Sequence, residues 1–90
     1  MTRDDYEAHL KRHGYEPAME RTKPAGATDG RHTHEFDACL YMLAGEYTLG
    51  YDDGERTYRP GDMFEVPRGT PHAETVGATE IRYLVGRRGA

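Results

Sequence analysis

Two histidines separated by one residue, His32 and His34, form the pair in this 90-residue chain whose spacing suggests chemistry. In an extended strand, side chains alternate between faces, so both imidazoles point the same way. Neutral imidazole is a good ligand for zinc, iron, nickel and copper, and two so placed can close on one ion. A third histidine, His72, lies far along the chain behind Pro71, where another strand is expected to begin. His9 and His13 also share a spacing, four residues on one helix face, but their surroundings are charged and the plainer expectation is that they are solvated.

The elements that must position these histidines can be read from local signals. Residues 3 to 13 read as a short helix, with Thr2 as cap, Asp5 three positions on, acids in the first turn and Lys11, Arg12 and His13 in the last. Gly14 stops it, and Tyr6 and Leu10 give it a narrow apolar stripe that can pack on a sheet. After Gly14 the pattern changes to short strands between turn signals. The expected strands are Ala18 to Lys23, Arg31 to His34, Ala38 to Leu43, Glu46 to Tyr51, Glu55 to Tyr58, Met63 to Val66, His72 to Val76 and Thr79 to Val85. Asp53-Gly54 marks a hairpin turn and Pro60-Gly61 a type II turn. The tail from Gly86 to Ala90 reads as frayed. Short strands at regular spacing point to an antiparallel sandwich or barrel. The chain therefore divides into an N-terminal helix, residues 1–14, packed on a β-barrel domain, residues 15–90.

Composition excludes several classes. Only 36% of residues are hydrophobic while 31% are charged, so the core must be sparse. Small scaffolds of this kind are often reinforced by metals, disulfides or oligomerisation. A single cysteine, Cys39, allows no internal disulfide. No apolar run approaches membrane-spanning length and the N-terminal segment is acidic, so the expected setting is cytoplasmic. The net charge of −4, with scattered basic residues, argues against a nucleic-acid partner.

Taken together, the glycines around the histidines resemble the motifs of the cupins, small double-sheet jelly rolls. The first cupin motif runs glycine, five residues, His-x-His, three or four residues, glutamate, six residues, glycine. Here Gly26, His32, His34 and Gly45 hold those positions. The second runs glycine, five residues, Pro-x-Gly, two residues, His, three residues, asparagine, and Gly61, Pro67, Gly69 and His72 match it. The resemblance implies an all-β cupin barrel with His32, His34 and His72 converging inside it on one divalent transition metal: zinc, iron, nickel, manganese or copper. It also implies a small-molecule substrate, a homodimer formed by sheet packing, and dioxygenase-like chemistry as one outcome. A non-catalytic module that binds a small ligand or a structural metal is the competing reading, and a metal-free interaction domain is a third.

Two positions depart from the family pattern. Ala38 stands where the first motif has its glutamate, and Val76 where the second has asparagine. The first departure removes the carboxylate ligand of the usual set. Strand parity limits its replacement: Ala38 faces inward and Cys39 out, and Asp37 also faces out unless a bulge between His34 and Ala38 turns it inward. Glu74, two residues after His72, shares its face and is a candidate ligand, hydrogen-bond partner or general base. Water ranks first for the fourth position, then Glu74 and Asp37 equally. Cys39, Tyr41, Leu43 and Phe64 read as packing residues, and Arg68 and Thr70 as loop residues near the barrel mouth.

Overall fold

The computed structural model describes residues 1–89; Ala90, part of the tail expected to fray, lies outside them. One helix, α1 (Arg3–Arg12), precedes eight strands: β1 (Met19–Lys23), β2 (Thr28–His32), β3 (Asp37–Ala44), β4 (Tyr47–Tyr51), β5 (Gly54–Tyr58), β6 (Met63–Val66), β7 (His72–Val76) and β8 (Ile81–Arg88). The strands form two antiparallel four-stranded sheets, ordered β1-β8-β3-β6 and β2-β7-β4-β5. These are the antiparallel sheets expected from the strand spacing, in the double-sheet jelly roll that the cupin resemblance implies. No helix among the described residues is long and apolar enough to cross a membrane.

Alternation sorts the core. Ala38, Leu40 and Met42 of β3, Phe64 and Val66 of β6, and Ile81, Tyr83 and Val85 of β8 face inward to meet Tyr47, Leu49 and Val76 of the other sheet. The intervening residues Cys39, Tyr41 and Leu84 face outward and are covered by Tyr6 and Leu10 of α1 and by Tyr15. The helix is fastened at both ends. Thr2 and Asp5 exchange hydrogen bonds at 3.1 and 3.2 Å in a capping box. The Tyr6 hydroxyl donates to the Cys39 carbonyl at 2.8 Å. His9 is not free in solvent: its Nε2 lies 3.0 Å from Glu65 of β6, and the Tyr15 hydroxyl donates to the same carboxylate at 2.7 Å.

Two strands, β2 and β8, depart from the local reading by three residues at one end. Strand β2 begins earlier and ends at His32, and a register shift between Asp29 and His32 interrupts its pairing with β7. His34 therefore lies just past the strand. Gly86, Arg87 and Arg88 are not frayed; they extend β8 and pair with Cys39, Ala38 and Asp37. Leu10 of α1 packs closely on Gly86: a Cβ there would lie 2.9 Å from Leu10 Cδ2.

Gly45, the last glycine of the first motif, has φ +78°, and a Cβ on it would meet the Glu80 carbonyl at 2.6 Å. Gly45→Ala is expected to lose about 3 kcal/mol, at the upper end of what backbone strain alone costs because the contact is with rigid backbone. Gly50→Ala, with open space around it, should be close to neutral or stabilising. Denaturant midpoints of the two variants test the difference.

Candidate metal centre

The β2–β7 register sets His32 directly opposite His72. His34 follows beyond the strand end, where the Gly69 amide donates to its carbonyl at 2.9 Å and ties it to the loop that leads into His72. The three rings form a tight group, with centroids 4.4 Å apart for His32 and His72, 4.9 Å for His32 and His34, and 5.2 Å for His34 and His72. His34 also stacks on Phe36 at 4.8 Å. Only His72 is fully buried.

Two backbone carbonyls orient these rings. His32 Nδ1 lies 2.6 Å from the Gly30 carbonyl and His72 Nδ1 lies 2.9 Å from the Thr70 carbonyl. A carbonyl can only accept, so each Nδ1 carries a proton and, in the neutral ring, each Nε2 presents a lone pair. Such an outer partner is the usual support of a metal-ligating imidazole.

Glu74 completes the group. It follows His72 by two residues on β7 and shares its inward face. Its Oε2 lies 3.2 Å from Nε2 of both His32 and His72. Its Oε1 accepts from the Tyr47 hydroxyl and from Lys23 Nζ at 2.9 Å, and Lys23 also reaches Asp29 at 3.0 Å. Burial alone would raise the Glu74 carboxyl pKa, but the hydrogen bonds from Tyr47 and Lys23 outweigh it and hold it below its ordinary value. Tyr47 is pushed the other way, first by burial and then by donating to the carboxylate. Burial, then the neighbouring imidazoles, lowers the pKa of His34.

This donor set fits a divalent transition metal. One ligand atom each from His32, His34, His72 and Glu74 lies within 4.8 Å of the others. Two imidazole lone pairs facing a carboxylate oxygen at 3.2 Å are mutually repulsive unless a cation or protons lie among them. Three nitrogens and one oxygen suit zinc, iron, nickel, manganese or copper. The group opens into a cavity of about 180 Å³ walled by Phe36, Leu40, Phe64, Val66 and Val85, with Ala38 on its wall where the family glutamate would project.

Asp37 is elsewhere. It faces outward and accepts from the Arg68 amide at 2.8 Å and from Arg88 at 3.0 Å. The Arg68 amide first, then Arg88, hold its carboxyl down at about 2. Asp37 thus joins the loop before His72 to the end of β8, and it is not a fourth ligand. Its stabilising effect should be full above the ordinary carboxylate value near 3.8 and should disappear as pH falls toward 2. Asp37→Asn should therefore lower the denaturant midpoint at pH 7 and flatten its fall between pH 4 and 2.

A second group, His9, Cys39 and Glu65, also has donor atoms within 4.8 Å. Burial pushes the Cys39 thiol up to about 12, and both Glu65 oxygens already bind His9 and Tyr15. It clamps α1 to the barrel.

The match to known proteins follows this geometry. A model of the cupin domain matches residues 18–85, which spans both sheets and all four clustered residues. The chain belongs to the cupins. Among solved structures, it is similar to the DMSP lyase DddQ from Ruegeria pomeroyi DSS-3, with 32% identity, a TM-score of 0.70, and coverage of 80% of this chain and 37% of that one. A cupin domain from Bordetella pertussis Tohama I is 23% identical with a TM-score of 0.63, covering 81% of this chain and 80% of the other. The cupin domain of Schizosaccharomyces pombe Cnp3 is 19% identical with a TM-score of 0.71, covering 81% and 52%. The chain thus spans just over a third of the lyase and about half of the yeast domain's chain. No curated protein matches.

Proposed function

We propose that this cupin binds one divalent transition metal through His32, His34, His72 and Glu74, and that the site acts on a small molecule entering the barrel. The observation that carries this reading is Glu74 Oε2 at 3.2 Å from two imidazole nitrogens whose other nitrogens are fixed by backbone carbonyls. Glu74, from β7, supplies the carboxylate that Ala38 cannot. A bound metal of this kind supplies Lewis acidity or, as ferrous iron, a place for both substrate and dioxygen. Tyr47 and Lys23 hold the carboxylate charged and aimed. Metal analysis of untagged protein tests the reading: about one metal per chain is expected, and near-zero in His32→Ala/His34→Ala. Equal, near-zero content in both would overturn it.

Two reaction classes fit such a centre. Dioxygenase-like turnover requires oxygen uptake with iron-loaded protein. Lyase chemistry is favoured by the 32% identity to a DMSP lyase and by the Tyr47–Glu74 pair, which places an acid–base couple in the cavity. Cleavage of DMSP without oxygen would select the lyase, and oxygen uptake with candidate diketones, thiols or catechol-like acids the dioxygenase. Inactivity in both, with metal bound, would select the non-catalytic ligand-binding module.

A further inference from the structure

The cavity that holds the histidines carries an excess of positive charge on its wall. Lys23, Arg21 and Arg87 all line the cavity, against two carboxylates, Asp29 and Glu74. Lys23 is bonded to both of those acids. Arg21 and Arg87 have no carboxylate partner among the described residues, in a chain whose net charge is −4. Register explains why both serve the cavity. Arg21 of β1 pairs with Tyr83 of β8, and Arg87 lies four residues after Tyr83, so all three share the inward face of one sheet. Arg87 is held over the Phe36 ring at 4.3 Å, and Phe36 in turn stacks on His34. Its guanidinium is therefore fixed beside the metal-binding residues while its N–H donors stay available.

Below the arginines the cavity is apolar, lined by Leu40, Phe64, Val66 and Val85. A ligand matching this wall has an anionic end for the guanidiniums and a short apolar body for the barrel. We propose that the site selects small organic carboxylates, with Arg21 and Arg87 as the residues that recognise the acid group. This rests on the reading of the barrel as the binding site, and the arginines attract the acid whether or not the metal is present.

Butyrate and its neutral counterpart butyramide, titrated calorimetrically into zinc-loaded and metal-free protein, test the inference. Butyrate should bind about tenfold more tightly than butyramide in both forms, with the preference shrinking as salt is raised. In the metal-free form Arg21→Gln/Arg87→Gln should abolish the preference, while zinc content of the loaded form stays at the wild-type level, and Arg21→Lys/Arg87→Lys should restore part of it. Equal binding of the two probes, no butyrate binding to either form, or a preference that survives the double glutamine variant in the metal-free form would each overturn the assignment. If the protein takes up no zinc but the metal-free form keeps an arginine-dependent preference, the metal reading fails and the carboxylate reading stands.

Discussion

His72→Ala should reduce metal affinity by more than about a hundredfold, beyond the loss that disturbing a mere supporting partner of a ligand produces. His72 is the one fully buried member of the group, is paired across strands with His32, and lies 3.2 Å from Glu74. Its removal leaves two imidazoles and a carboxylate, one of them past the end of its strand. Competition against a chromophoric chelator reads the loss. Thermal unfolding provides a second readout, because metal binding at a hundred times its dissociation constant stabilises the native state by about 2.7 kcal/mol, and that shift should vanish in the variant. The pH dependence follows from ligation. Imidazole must be unprotonated to bind, so affinity should fall as pH drops below about 6.5. His34, its pKa lowered first by burial, is already inclined to the neutral form. The same lowering means that the metal-free fold also loses stability as pH falls below the ordinary histidine value, since the unfolded chain takes up that proton more readily. Metal occupancy that is constant between pH 5 and 8 would count against histidine ligation.

How much of this arrangement was legible depends on whether each determinant is local. Turn residues such as Asp53-Gly54 and Pro60-Gly61 act within a few positions, and the strands they bound lie where alternation places them. Parity sufficed for Ala38, Cys39 and Glu74, because β3 and β7 are regular where those residues lie. It could not show that β2 slips register between Asp29 and His32, since a bulge depends on its partner strand. The tail shows the same limit. Gly86-Arg87-Arg88 carries no local strand signal, yet it pairs along the start of β3, and Gly86 allows Leu10 of α1 to approach. His9 looked solvated on its own helix face because Glu65 is 56 residues away. The role of Lys23, from another strand, had no sequence signature at all.

Glu74→Gln separates the roles open to that residue. The substitution keeps the shape and removes the charge that Lys23 and Tyr47 are arranged to stabilise. In the metal-free protein it should cost about 1–3 kcal/mol, the range for losing a charged hydrogen-bonding partner that is largely buried. Tyr47→Phe removes only one donor and leaves the Lys23 contact in place, so about 1 kcal/mol is expected. Metal affinity then distinguishes ligand from base. As a ligand, Glu74 is required for tight binding, and the glutamine variant should lose about tenfold or more in affinity. As a general base alone, it is dispensable for binding, and the variant should retain its metal while losing turnover. The geometry favours the ligand: Oε1 is occupied by Lys23 and Tyr47, and Oε2 is left facing the two imidazoles. Unchanged affinity together with unchanged turnover would reduce Glu74 to a partner of Lys23 and leave water in the fourth position, as in a site built from the three histidines alone.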